Sequence, residues 1–152
     1  MVNRTLTGTY DRILDEKFRI AIPKTLRKDL SEQLELVVFV VPGMDKCLDL
    51  YPEEAFAERS RKFDEHAANQ PESRDFFRML FAPAAKIAVD PQGRIRIPDR
   101  LASYAGLKHD IVLCGVRDHV EIWEKTLWEE YFEKNIGKLN DLGSHALYRR
   151  SV

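Results

Sequence analysis

The 152-residue sequence predicts an α+β fold: a duplicated β-β-α-β-β unit with flanking helices, the two copies sharing one core as a pseudo-twofold sandwich or barrel. The first observation behind this is an internal repeat. Leu14-Asp15-Glu16-Lys17-Phe18-Arg19-Ile20-Ala21-Ile22-Pro23 returns as Val89-Asp90-Pro91-Gln92-Gly93-Arg94-Ile95-Arg96-Ile97-Pro98, at a constant offset of 75 residues. Leu36-Val37-Val38-Phe39 and Ile111-Val112-Leu113-Cys114 keep that offset, whereas Leu48-Asp49-Leu50-Tyr51 and Val120-Glu121-Ile122-Trp123 are 72 apart, so the second hairpin loop is three residues shorter. The second observation is short runs of period-two character, the pattern of half-buried strands. The third is size: a unit of roughly 55 residues with four short strands buries too little apolar surface to stand alone, so two must interlock.

Each element follows from local chemistry. Residues 19–22 and 94–97 are strand-like, and Ile22 and Ile97 are biased to extended backbone by the prolines after them. Pro23 and Pro98 suit the first turn of a helix, where the missing N–H costs little. Helices are expected over 24–30 and 99–105, the second ended by Gly106. Strands over 35–41 and 111–115 pair in hairpins with 48–51 and 120–123, and amphipathic helices follow over 53–68 and 125–136. Residues 72–81 carry Phe76, Phe77, Leu80 and Phe81 at helical spacing and are expected to pack as a connecting helix, any exposed part being an oligomer contact. The chain thus divides into a first unit (5–52), a helical connection (53–82), a second unit (83–126), and a C-terminal helix and tail (127–152), with the repeat boundary near 68–84. The tail from residue 140, with Arg149 and Arg150, is read as either a disordered DNA-touching arm or a segment without a role.

Composition excludes several classes. Hydrophobic residues are 44% and charged residues 32%, a soluble globular balance. The longest apolar run, residues 36–41, is too short to span a membrane, and no signal peptide is expected at Met1-Val2-Asn3-Arg4-Thr5. Cys47 and Cys114 form no Cys-x-x-Cys pair and are expected to be buried, reduced thiols. His66, His109, His119 and His145 share no ligand spacing, so neither a metal nor a cofactor is expected. No nucleophile elbow, phosphate loop or H-E-x-x-H motif is present, and no enzyme is expected. Asp15 with Asp90 is the one conceivable catalytic pair, but general acid/base work needs a pocket and these residues sit in turns.

Asp90-Pro91-Gln92-Gly93 has the residue preferences of a type I turn and places Arg94 at the head of a strand. Asp15, Asp90 and Gly93 are the residues that orient the turns, each carboxylate capping turn amides or pairing with the following arginine. Charge is segregated. Residues 1–28 hold Arg4, Arg12, Lys17, Arg19, Lys24, Arg27 and Lys28 against Asp11, Asp15 and Glu16, a net +4 in a chain of net −1, leaving −5 elsewhere. Around the second turn Lys86, Arg94, Arg96 and Arg100 outnumber Asp90 and Asp99. A basic patch on turn and strand elements is the footprint of a nucleic-acid-binding face.

The duplicated Asp-x-x-x-Arg-x-x-Ile-Pro units, each followed by a short helix and a hairpin, resemble the MraZ family, bacterial regulators associated with the division and cell-wall gene cluster. The resemblance spans about residues 5–142 and includes Leu48-Asp49-Leu50-Tyr51-Pro52 and Val120-Glu121-Ile122-Trp123, similar to the family's L-x-L-Y-P and E-I-W segments. It implies two AbrB-like swapped-hairpin domains in one chain. It also implies a cytoplasmic, nucleoid-associated repressor of that gene cluster and of its own promoter, binding tandem G-rich repeats in double-stranded DNA as a ring-shaped homo-oligomer. Arginine suits G, whose O6 and N7 it can bridge. On this resemblance Arg19 contacts DNA, Lys17, Lys24 and Arg12 support it at phosphates, and Arg94 either joins them or serves assembly. The first unit departs from the family's Asp-x-Lys-Gly-Arg: Phe18 stands where Gly is usual, so that turn takes another geometry or accepts strain. A structural ring that scaffolds protein partners through the acidic helices of 53–72 and 121–133 is the alternative function.

Overall fold

The computed structural model describes residues 5–64 and 70–148. Arg4, Arg149 and Arg150, the end of the 53–68 helix and part of the repeat boundary lie outside the described residues. The first unit runs β1 (Thr9–Ile13), β2 (Arg19–Ala21), α1 (Lys24–Leu30), β3 (Val37–Pro42), β4 (Leu48–Pro52) and α2 (Glu53–Asp64). Helix α3 (Pro71–Phe81) leads into the second unit: β5 (Ala85–Ala88), β6 (Arg94–Arg96), α4 (Asp99–Tyr104), β7 (Asp110–Val116), β8 (His119–Glu124) and α5 (Lys125–Ile136). A last helix, α6 (Leu139–Leu147), follows, so the tail up to residue 147 is helical and not the disordered arm considered above.

The units are exchanged, not side by side. One six-stranded antiparallel sheet has the order β1-β7-β8-β4-β3-β5, so the first strand of each unit leaves its own hairpin and pairs with the other unit's. Strands β2 and β6 pair with each other as a separate ribbon. Two registers locate a pseudo-twofold axis. In the ribbon Ile20 faces Ile95, and in the sheet Asp49 faces Glu121. Both pairs join residues that the repeat makes equivalent, at offsets of 75 and 72. The change of offset is visible in the hairpins: Pro42 pairs with Leu48 across a five-residue loop, whereas Val116 pairs with His119 across Arg117-Asp118 alone.

The core lies between ribbon and sheet. Ile20, Ile95, Ile22 and Ile97 pack against the inner face, where Leu48, Leu50, Val120 and Ile122 alternate inward. On the outer face, α2 and α3 close an aromatic cluster over Val41 and Tyr51, with Phe39 stacked on Phe56 at 4.7 Å. Phe76, Leu80 and Phe81 join that cluster, which bears out the core reading of α3. Helix α5 covers the other half, with Trp128 packed on Cys47, Val112, Cys114 and Trp123. Both cysteines are buried and unpaired, as expected. Among the described residues no helix is long and apolar enough to cross a membrane.

Candidate nucleic-acid interface

The two Asp-x-x-x-Arg turns have the same wiring. Asp15 Oδ1 accepts the Lys17 and Arg19 amides at 2.9 and 2.8 Å, and Asp15 Oδ2 accepts Arg19 Nε at 2.7 Å. Asp90 Oδ1 accepts the Gln92 and Arg94 amides at 2.9 Å each, and Asp90 Oδ2 accepts Arg94 Nε at 3.1 Å. Both alternatives open at the sequence level are therefore realised at once: each carboxylate caps its turn and pairs with its arginine. Each aspartate is consumed by its own turn, which leaves no shared catalytic pair. Because the carboxylate holds Nε, it does not engage the terminal guanidinium nitrogens, the edge that bridges a guanine or a phosphate.

The amide of Arg19, donating to Asp15, holds that carboxyl below its ordinary range, and the amide of Arg94 does the same for Asp90. A depressed folded-state value means the turn contributes stability above the unfolded carboxyl value, about 3.9, and loses it as pH falls through the lower folded value. The difference in urea midpoint between the wild type and Asp15→Asn should therefore be widest near neutrality and close below about pH 4. A difference that persists unchanged into acid would show that the cap does not act through the carboxylate charge.

The turns lock into each other. The Ile22 amide donates to the Gly93 carbonyl and the Ile97 amide to the Phe18 carbonyl, both at 2.8 Å. Phe18 takes the same left-handed backbone as its repeat mate, with φ of 61° against 82° for Gly93. The first turn thus accepts strain, about 1–2 kcal/mol for a non-glycine residue, and keeps the geometry. The pseudo-twofold partners explain why. A Cβ on Gly93 would lie 2.6 Å from Arg27 Cζ, so any larger residue there displaces the Arg27 guanidinium as well as straining the backbone. The repeat mate of Arg27 is Ala102, and Phe18 packs against the core cluster that contains Ala102. In the first turn the bulky side chain is Phe18 itself, packed on the core; in the second it is Arg27, laid over Gly93. Phe18→Ala should lose this packing and keep the strain, whereas Phe18→Gly loses packing but relieves the strain. Glycine should therefore be the more stable of the two variants by about 1 kcal/mol in urea unfolding.

The ribbon turns its arginines outward. With Ile20 and Ile95 buried, the alternate positions face away from the core, and Arg19 stands opposite Arg96, Ala21 opposite Arg94. The Arg19 and Arg94 side chains are 31% and 30% exposed, held at the base and open at the tip. Lys17 in the turn and Lys24 at the start of α1 are fully on the surface beside them. Arg12 is not on the ribbon; it lies on β1, an edge strand of the large sheet, and its Nη1 donates to the Asp11 carbonyl at 2.7 Å. Of the second-unit cations only Arg94 and Arg96 belong to the ribbon, since Lys86 pairs with Glu53 at 3.1 Å and Arg100 lines a separate cavity. The exposed Arg96 and the Arg27 that covers Gly93 were counted in the basic patches but not chosen as DNA contacts from the sequence. Period-two alternation around Ile95 was the available signal for Arg96; Arg27 had none, because its neighbour across the axis is 66 residues away.

Comparison with known proteins identifies the family of the chain. The family model described as "MraZ protein, putative antitoxin-like" matches residues 5–79 and again 80–143, one match per repeat. A transcriptional regulator MraZ of Cutibacterium acnes is 40% identical over 126 residues, covering 83% of this chain and 86% of that protein. Those of Finegoldia magna and Clostridium beijerinckii are 33% and 38% identical, covering 88% and 90% of this chain and 90% and 97% of theirs. With both repeats matched and most of its length aligned at these identities, the chain belongs to the MraZ family.

Proposed function

We propose that the protein is a DNA-binding transcriptional regulator, not an enzyme, that uses the β2–β6 ribbon as its DNA-contacting surface. The observation that carries this is the set of outward arginines on a two-stranded ribbon, Arg19 and Arg94 held at Nε by Asp15 and Asp90, and Arg96 exposed opposite Arg19. A ribbon of this width fits the major groove, and arginine tips there read G. Lys17, Lys24 and Arg12 supply phosphate contacts, and the sequence-specific site is a tandem G-rich repeat upstream of the division and cell-wall gene cluster, including its own promoter, where the protein represses. That role places it on the nucleoid in the cytoplasm.

In this reading the working form is a homo-oligomeric ring. Two unlike apolar surfaces support it. One is a cavity of about 400 Å³ bordered by Met44, Met79, Leu80, Leu101 and Tyr104. The other is a convex stripe of exposed side chains on α5 and α6, including Phe132, Ile136, Leu139 and Leu142. Two unlike patches on one subunit suit a head-to-tail contact, and such a contact makes a ring when its rotation closes. Few cations per subunit mean modest intrinsic affinity, and a ring on repeated sites raises it by on the order of 10²–10⁴. An electrophoretic shift of the gene's own upstream region tests the DNA reading, and light scattering after gel filtration tests the ring. A wild-type protein that shifts no fragment at low salt would overturn the first; a monomer would overturn the second.

A further inference from the structure

We propose that Cys47, Asp49, His119 and Glu121 form a structural Zn²⁺ site on the pseudo-twofold axis, on the face of the sheet opposite the arginine ribbon. Sequence spacing hides it, since the two halves are about 70 residues apart and no short-interval motif exists. The fold assembles it. His119 and Glu121 are two apart along β8, and Asp49 lies on β4 two residues after Cys47, which ends the β3–β4 loop in extended backbone, so both pairs reach the same face. Asp49 lies directly opposite Glu121 in the antiparallel register. The repeat makes Cys47 equivalent to His119 and Asp49 to Glu121, so the duplication itself surrounds the axis with four metal-ligating side chains.

Three of the distances fit, and the rest must close on metal binding. Ligand atoms of Cys47, Asp49 and Glu121 all lie within 4.8 Å of one another, and His119 borders this group through Glu121 and Asp49. His119 Nε2 lies 3.2 Å from Glu121 Oε2 and 3.7 Å from Asp49 Oδ1, and Cys47 Sγ is 3.8 Å from the same Asp49 oxygen. Around tetrahedral zinc, with bonds of 2.0–2.3 Å, neighbouring ligand atoms are about 3.3–3.8 Å apart.

Three of the four ligands are also oriented from behind. His119 Nδ1 is 2.8 Å from Asp118 Oδ1, which leaves Nε2 for the site, the carboxylate–histidine–metal arrangement. Trp123 Nε1 donates to Glu121 Oε1 at 3.0 Å, leaving Oε2 inward. Arg59 Nη1 donates to Asp49 Oδ2 at 3.3 Å, leaving Oδ1 inward, and Asp49 is 5% exposed. The β3–β4 loop closes over the group: a Cβ on Gly43 would sit 2.7 Å from Asp49 Oδ1 and 2.8 Å from Cys47 Sγ. Charge balances as well. A thiolate and two carboxylates offset one divalent ion plus the Arg59 guanidinium, with the Cys47 proton and any proton on His119 Nε2 released to solvent. Thiolate with imidazole selects a borderline transition ion over Ca²⁺ or Mg²⁺. With the His119 imidazole drawn in, four protein ligands leave no open position, which makes the site structural. It would tie β4 to β8 where the two units meet.

The experiment uses the full chain, stripped with a chelator and titrated with Co²⁺, then with Zn²⁺ in competition. Expected are a sulfur-to-cobalt charge-transfer band, tetrahedral visible bands saturating at about one equivalent per chain, their loss on adding Zn²⁺, and a melting temperature raised by Zn²⁺. Cys47→Ser should abolish the charge-transfer band, and Cys114→Ser should leave it. Asp118→Asn removes no ligand and should weaken Co²⁺ binding about 10–100-fold. Should Cys47→Ser fail to fold by circular dichroism, the wild-type and Asp118→Asn titrations decide alone. Absence of a charge-transfer band in the wild type, no Zn²⁺-dependent rise in melting temperature, or unchanged binding by Asp118→Asn would each overturn the proposal. None of these readouts depends on DNA.

Discussion

Arg19→Ala should reduce affinity for the upstream repeat by at least tenfold while the fold and assembly survive. One good arginine–guanine pair discriminates by about 1–3 kcal/mol, and every subunit engaged on the DNA loses it together. The same variant should flatten the dependence of log K on log salt, because each lost cationic contact releases fewer counterions. Asp15→Asn should fall between wild type and Arg19→Ala, since it keeps the guanidinium and removes only the carboxylate that aims it at 2.7 Å. Arg94→Ala and Arg96→Ala separate the roles of the two turns: losses like that of Arg19→Ala mean the whole ribbon reads DNA. Titrations at several salt concentrations by fluorescence anisotropy provide the check. Undiminished affinity in Arg19→Ala would remove the first turn from the interface.

Ile20→Ala should cost about 2–5 kcal/mol in urea unfolding, the range for emptying a buried isoleucine site. Ile20 is 0% exposed and sits on the axis opposite Ile95, so the cavity opens where the ribbon rests on the sheet. Ile95→Ala should cost a similar amount. The double variant should depart from additivity, because the two side chains are repeat mates facing across one pair of strands and share the space that is emptied. Additive losses in the double variant would mean that the two units fold against the sheet independently. DNA affinity should drop as well, since the ribbon carries Arg19, Arg94 and Arg96 outward only while its isoleucines hold it inward.

Much of this protein is local information. The repeat at 75 and 72 residues, the prolines after Ile22 and Ile97, and the period-two runs are properties of neighbouring residues, and they place β2 to β4, β6 to β8 and helices α1, α3, α4 and α5 within a residue or two, whereas β1 and β5, the first strand of each unit, are not located by them. The Asp15 and Asp90 turns were legible for the same reason: a carboxylate that caps amides two and four residues on needs no distant partner. The tail was not, because α6 presents an apolar stripe whose partner is not written in its own sequence.

What the sequence by itself determined is therefore the repeated unit, its turns and the arginines at their heads. Tertiary structure alone decided the exchange of β1 and β5 between units, the placing of Arg12 on the large sheet and not on the ribbon, and the approach of Arg27 to Gly93 across the axis. It alone decided the meeting of Cys47 and Asp49 with His119 and Glu121. These depend on which strands pair across the axis, and pairing is chosen by the burial of one shared core that neither unit can form alone.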